Sequence, residues 1–135
     1  MKSELAEKLR KDHPILQCSI EVGDGWYYIL DSLFTCIEHE QRLIEDTRAW
    51  SIKNFQFEDL PQFPIIEFNQ IKEKFGTLRI YYSCEGNDRI YGMVSMAENI
   101  SGYTCEDCGN VGSKRNSSWY KTLCNQCFVE QELKQ

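Results

Sequence analysis

Apolar residues recur at three- and four-residue spacing over Trp26, Ile29, Leu30, Leu33, Phe34 and Ile37, and this is the clearest helical period in the chain. It extends weakly to Ile44, and an aromatic-rich stripe of this kind reads as core. Gly23-Asp24-Gly25 makes the turn before it, with Asp24 as the expected N-cap. Upstream, Leu5 and Leu9 lie on one face of a short helix over residues 3–12, which Ser3 is expected to cap and Pro14 to stop. Ile90, Met93, Val94, Ala97 and Ile100 mark a further helix, with Asp88 as its expected N-cap and Ser101-Gly102 as its end. Between these helices the period changes to two. Leu78, Ile80 and Tyr82 form a clean strand face, and Ile66, Phe68 and Ile71 a second whose alternation slips between Phe68 and Ile71. Phe75-Gly76 supplies the turn of this hairpin, with glycine tolerating positive φ. Residues 46–64 fit neither period, and Pro61 and Pro64 break any long element there. They read as a loop or broken edge strand whose aromatics either pack down or form a contact surface.

The C-terminal third is organised by chemistry. Cys105-Glu-Asp-Cys108 and Cys124-Asn-Gln-Cys127 are two C-x-x-C pairs separated by fifteen residues, at the edge of the spacing of a four-thiolate zinc site. A tight turn within each pair lets both sulfurs reach one ion, and two such turns face to face close a tetrahedron with arms of about 2.3 Å. Four thiolates leave no open position, so the reading is one structural zinc ion held by Cys105, Cys108, Cys124 and Cys127. A pair of disulfides and a redox dithiol are the competing readings. The odd count of seven cysteines and the missing βαβ pattern weigh against them, while spacing alone does not separate zinc from iron. Trp119 and Tyr120 are placed on a strand beside the metal, and residues 128–134 in a short terminal helix. The fold class is therefore α+β: helices packed on a small antiparallel sheet in an acidic body, residues 1–101, followed by a four-cysteine zinc ribbon, residues 102–135, that packs on the last body helix.

Charge narrows the functions. The 135 residues carry a net −6; residues 1–100 hold 11 basic and 17 acidic side chains, and residues 101–135 hold four of each. An acidic body repels phosphate backbones and suits a basic protein partner. Lys72, Lys74 and Arg79 make the one basic spot on it and read as solvated strand faces. No secretory leader and no apolar run of membrane length is visible, which with reduced cysteines points to the cytoplasm.

Catalytic constellations are missing from the pattern. His13 stands before a proline and His39 on a polar helix face, neither in a triad or H-E-x-x-H spacing. Glu38 and Glu40 fall on different helix faces. The Gly23-Asp-Gly25 pair is better explained as a turn than as an anion site. Cys18 and Cys84 are isolated, and Cys36 is expected to be a buried small hydrophobe.

Gly23-Asp24-Gly25-Trp26, Ile71 to Tyr82 with Phe75-Gly76, Ala97-Glu98 and the two cysteine pairs occur together in this order. Over roughly residues 23–130 the combination resembles a group of small, uncharacterised bacterial and prophage proteins with a C-terminal zinc ribbon. The resemblance implies a bacterial origin and a structural zinc site, and brings no activity with it. The reading that follows is a non-enzymatic, zinc-stabilised protein-interaction module, within that class a toxin-neutralising (immunity) or anti-defence protein. Its expected partner surface comprises Trp50, Phe55, Phe57, Lys114, Arg115 and Trp119. The alternative is a nucleic-acid-binding or transcription-regulatory zinc ribbon using Lys114, Arg115, Trp119, Tyr120 and Lys121 for phosphate contact and stacking. That alternative is disfavoured by the ribbon's net-neutral charge.

Overall fold

A computed structural model describes residues 1–56, 60 and 62–135. Its elements run α1 (Ser3–Asp12), β1 (Ser19–Glu21), a 3-10 turn (Asp24–Trp26), α2 (Tyr27–Phe55), β2 (Ile66–Lys74), β3 (Thr77–Cys84), α3 (Asp88–Ser101), β4 (Ser113–Asn116), β5 (Tyr120–Leu123) and α4 (Asn125–Leu133). The fold is α+β, with the four cysteines gathered at its C-terminal end.

The stripe on α2 is buried as its period requires: Trp26, Leu30, Phe34 and Ile37 are wholly enclosed, and Leu33 nearly so. They pack against Phe68, Ile71, Leu78 and Ile80 of the sheet and Ile90, Val94 and Ala97 of α3. Phe34 meets Phe68 edge to face at 4.9 Å, the arrangement favoured by the ring quadrupoles. The β2–β3 pair is antiparallel, and its register shifts between Phe68 and Gln70, where the alternation slips. A bulge has taken up the extra residue. Phe75 and Gly76 both have positive φ, 54° and 81°, so the hairpin closes in a two-residue turn. The short β1 adds to the other edge of β2 in parallel, through Ser19, Ile20 and Glu21 opposite Gln70, Ile71 and Lys72. Three residues are too few to show a period, and the sequence pattern predicts no strand there.

Several local expectations are corrected. Lys2 stands at the N-cap of α1 and no side chain caps the helix, so Ser3 lies inside it. The Asp24 carboxylate does not cap α2; it accepts the backbone amide of Lys2 at 2.7 Å and ties the two N-termini together. Asn87, not Asp88, caps α3, its Oδ1 accepting the amides of Arg89 and Ile90. Ile100 is exposed at the end of the α3 stripe, and Ser101 takes the buried place. Cys36 is exposed. The largest correction concerns residues 46–55. They are not irregular but continue α2 as helix to Phe55, where Gln56 terminates it at φ 55°. The buried face of α2 stops at Glu40, which pairs with Arg89 at 2.8 Å, so the helical period loses its apolar signature beyond that point.

Candidate metal centre

Each cysteine pair is set by backbone geometry. In the first, Gly109 at φ 82° turns the chain so that its amide reaches the Cys105 carbonyl at 2.9 Å, while the Cys105 amide donates to the Asn110 carbonyl at 2.7 Å. In the second, Cys124 is the N-cap of α4, and its sulfur accepts the Cys127 amide at 3.4 Å. The β4–β5 hairpin spans the distance between them, with Ser113 opposite Leu123 and Asn116 opposite Tyr120. The four Sγ atoms lie within 4.8 Å of one another. Cys108 and Cys124 are 3.7 Å apart, and about 3.8 Å is the edge of a tetrahedron with metal–sulfur arms of about 2.3 Å. None of the seven cysteines is in a disulfide. Electrostatics agree with a cation site. The Cys124 thiol is drawn down to about 7, first by the Cys127 amide, while burial and then the neighbouring thiols push Cys127 up. Four crowded sulfurs cannot all ionise without a positive charge among them, so the cluster could hold a metal ion.

The ribbon docks on the body through a contact that sequence spacing does not show. The Gly25 amide donates to the Glu106 carbonyl at 2.7 Å, the Gly23 amide to the Glu106 carboxylate at 3.1 Å, and the Trp26 indole to the Thr104 carbonyl at 2.9 Å. A Cβ on Gly25 would lie 2.1 Å from the Cys105 carbonyl oxygen, and one on Gly23 would lie 2.3 Å from that of Glu106. The glycines are there because the first cysteine turn comes too close for any side chain. Glu106 is buried with one oxygen unpartnered, and that burial raises its pKa. On the other side, the Thr122 hydroxyl donates to the Gly76 carbonyl of the β2–β3 turn at 2.6 Å. The ribbon thus attaches through two turns of the body, the Gly23–Gly25 turn and the β2–β3 turn.

The expected partner residues separate into groups. Trp50 and Phe55 lie on the last turns of α2, 58% and 56% exposed, their rings edge to face at 5.3 Å. Phe57 lies outside the described residues. Trp119 is 69% exposed, in the turn before β5 and not on the strand. Lys114 holds its ammonium 4.6 Å from the Tyr120 ring centroid. Arg115 is spent inside the ribbon, donating to the Leu123 carbonyl and the Asn125 side chain while lying over Phe128.

His13 is only 4% exposed, and the fold gives it partners that spacing does not join. Its Nε2 meets Asp31 at 2.8 Å and its Nδ1 meets Glu38 at 2.9 Å. Both nitrogens face acceptors, so the ring must carry both protons. Burial opposes that charge, yet the two carboxylates outweigh it and the His13 pKa is raised. Asp31 and Glu38, seven residues apart, share a face of α2, which is the one local signal of their pairing. His13 is a clasp between α1 and α2.

Compared with family models, with curated proteins and with solved structures, the chain has no match. Among the described residues, no helix is long and apolar enough to cross a membrane.

Proposed function

We propose that this chain is a non-enzymatic protein-interaction module, stapled by one structural zinc ion and working in the cytoplasm. The observation that carries the reading is the distal half of α2. From Gln41 to Phe55 no residue is buried, although the stretch is helical and carries Leu43, Ile44, Trp50, Ile52 and Phe55. At 1.5 Å per residue this is about 20 Å of helix whose best-covered positions, Gln41, Ile44, Arg48, Ser51 and Ile52, are only half-buried. Helices in water draw most of their stability from a packed face. A cleft of about 700 Å³ runs beside it, lined by Ile44, Arg48, Ile52, Phe63 and Pro64 among others. A helix that carries exposed aromatics and also borders a concave surface suits a protein partner, which would complete the helix's packing. The structural role rests on four thiolates that close the coordination shell and leave no reactive position, and zinc is the ion proposed for it. With the resemblance to prophage proteins and the acidic body, the sharper reading is a toxin-neutralising or anti-defence protein whose target is basic, such as a nuclease.

The test is affinity capture from the native host, with and without nuclease, using wild type and a Trp50→Ala/Phe55→Ala variant. The reading expects a stoichiometric protein that survives nuclease and is lost with the variant, while metal content and melting temperature hold. Capture unaffected by the variant would refute the α2 surface. A wild-type chain that sediments as a dimer, and a variant that does not, would assign the face to self-association instead.

A further inference from the structure

We propose that the seam between the β2–β3 turn and the ribbon binds single-stranded nucleic acid, a function separate from the protein contact at α2. The docking of Gly76 on Thr122 brings together two segments more than forty residues apart. A cleft of about 390 Å³ opens there, lined by Lys72, Lys74, Phe75, Ser118, Trp119 and Tyr120 together with Glu73. Three aromatic rings and two lysines converge, and a third lysine, Lys114, lies against Tyr120.

The chemistry of the cleft selects its occupant. Phe75 is 61% exposed and Trp119 more so, and Tyr120 is also exposed. The Lys74 ammonium lies 5.6 Å from the Phe75 ring, so cation and ring stand side by side. None of Lys72, Lys74 and Lys114 has a carboxylate within ion-pair distance among the described residues. The one acid of the cleft, Glu73, turns its carboxylate to the Gly76 amide at 2.6 Å. Stacking rings interleaved with unpaired lysines are what a nucleic-acid strand with splayed bases requires. A duplex hides its base faces from such rings, and an acidic peptide would engage the lysines while leaving the rings unused. Phe75 adds an independent observation. It holds φ 54°, a conformation that asparagine and glycine adopt at far lower cost than a bulky side chain. A strained, exposed phenylalanine is accounted for if its ring has work to do. The net charge of −6 sets the limits: attraction is local to the seam, and binding is modest and strongly salt-dependent.

The test uses the metal-loaded full chain and a fluorescent oligothymidylate or oligouridylate of about 16 nucleotides, read by anisotropy. Expected is saturable binding that falls with salt at a logarithmic slope of about −2, as three phosphate contacts on a single strand give. Trp119→Ala and Lys72→Glu/Lys74→Glu should each weaken it about tenfold or more. Phe75→Asn separates the roles, because it relieves the turn and keeps or raises the melting temperature, yet weakens binding. Trp50→Ala/Phe55→Ala should leave it unchanged. The proposal is overturned by no saturable binding at low salt, by binding indifferent to the seam variants, by a duplex of the same length binding more tightly, or by polyglutamate competing as well as the oligonucleotide.

Discussion

The substitution Gly25→Ala tests how the ribbon is attached. The new Cβ would sit 2.1 Å from the Cys105 carbonyl oxygen, 2.5 Å from the Gly109 nitrogen and 2.7 Å from the Glu106 carbonyl oxygen. All three are backbone atoms of the first cysteine turn, so no rotamer change clears them. Ordinary contact requires the turn to retreat by about an ångström or more, given that packed interiors leave no spare room. That movement lengthens three hydrogen bonds at once: Gly25 to Glu106, Gly23 to the Glu106 carboxylate, and Trp26 to Thr104. At about 1 kcal/mol net for each, undocking costs about 3 kcal/mol. Holding the dock and absorbing the overlap as strain costs a similar 1–3 kcal/mol, roughly, so the two routes converge. For a chain of this size that is a fall in melting temperature of about 10 °C. Gly92→Ala is the matched control: nothing lies within 4 Å of its Cβ, and it sits inside α3. Alanine there should raise stability by about 1 kcal/mol. Thermal unfolding followed by circular dichroism, on metal-loaded protein with metal content measured in parallel, reads both. A Gly25→Ala variant that melts with the wild type would mean that the glycine is not held against the ribbon.

Three further outcomes are expected. Cys108→Ser should release the metal and loosen the ribbon and α4, seen as lost metal content and faster amide exchange after residue 103; a variant that kept both metal and protection would refute the four-thiolate reading. Phe34→Ala removes a wholly buried ring packed on Phe68 and should cost about 3–5 kcal/mol in denaturant unfolding, against a negligible change for an exposed position such as Trp50. His13 has its pKa raised in the fold, so its contribution is fully present below the ordinary 6.5 and is lost as pH rises through the raised value. Metal-loaded protein should therefore weaken over that interval on the alkaline side of 6.5, and His13→Gln should flatten the profile; an unchanged profile would show that the clasp is not charged.

What the sequence made legible was whatever local repetition encodes. The α2 stripe from Trp26 to Ile37 was readable because one buried face imposes its period on consecutive turns. The slip between Phe68 and Ile71 was visible because a bulge must break the alternation of two. The cysteines were readable because a tight turn fixes their spacing before any tertiary contact forms. Beyond Glu40 the helix continues with positions that are at most half-buried, several of them polar (Gln41, Arg48, Ser51), so the apolar period fades after Ile44 and residues 46–55 read as a loop. Asp24 looks like a cap because a turn and a helix follow one another there, but its acceptor oxygen is claimed by Lys2 from another element. His13 stands 18 and 25 residues from its two carboxylates, and Gly23 stands 83 from Glu106, so neither relation has a local signature. The paired glycines of Gly23-Asp-Gly25 did carry a trace of it. Two residues without Cβ beside a tryptophan indicate that another backbone comes close, whereas a turn alone needs fewer.

The atoms that join ribbon to body also explain why recognition can be read apart from stability. The body meets the ribbon through the carbonyls of Thr104 and Glu106, the Glu106 carboxylate, and the Thr122 hydroxyl on the Gly76 carbonyl. Apart from the Trp26 indole and the carbonyls of Asn99, Ile100 and Ser101 that take the local bonds at the end of α3, the partners on the body side are glycine backbone atoms. None of these contacts uses the outward side chains of Phe75, Trp119 or Tyr120, and the burial of α2 that holds the core ends before Leu43, Trp50 and Phe55. Large aromatic groups therefore stand on the surface without supporting the core or the dock. Exposed aromatic area carries a cost in water, and Phe75 adds backbone strain to it. Positions whose loss leaves the fold intact, and whose presence is unfavourable to the isolated chain, are where a binding partner's contribution belongs. Truncation at Trp50, Phe75 or Trp119 should consequently move affinities and leave melting temperatures in place, whereas truncation at Phe34 should lower the melting temperature first.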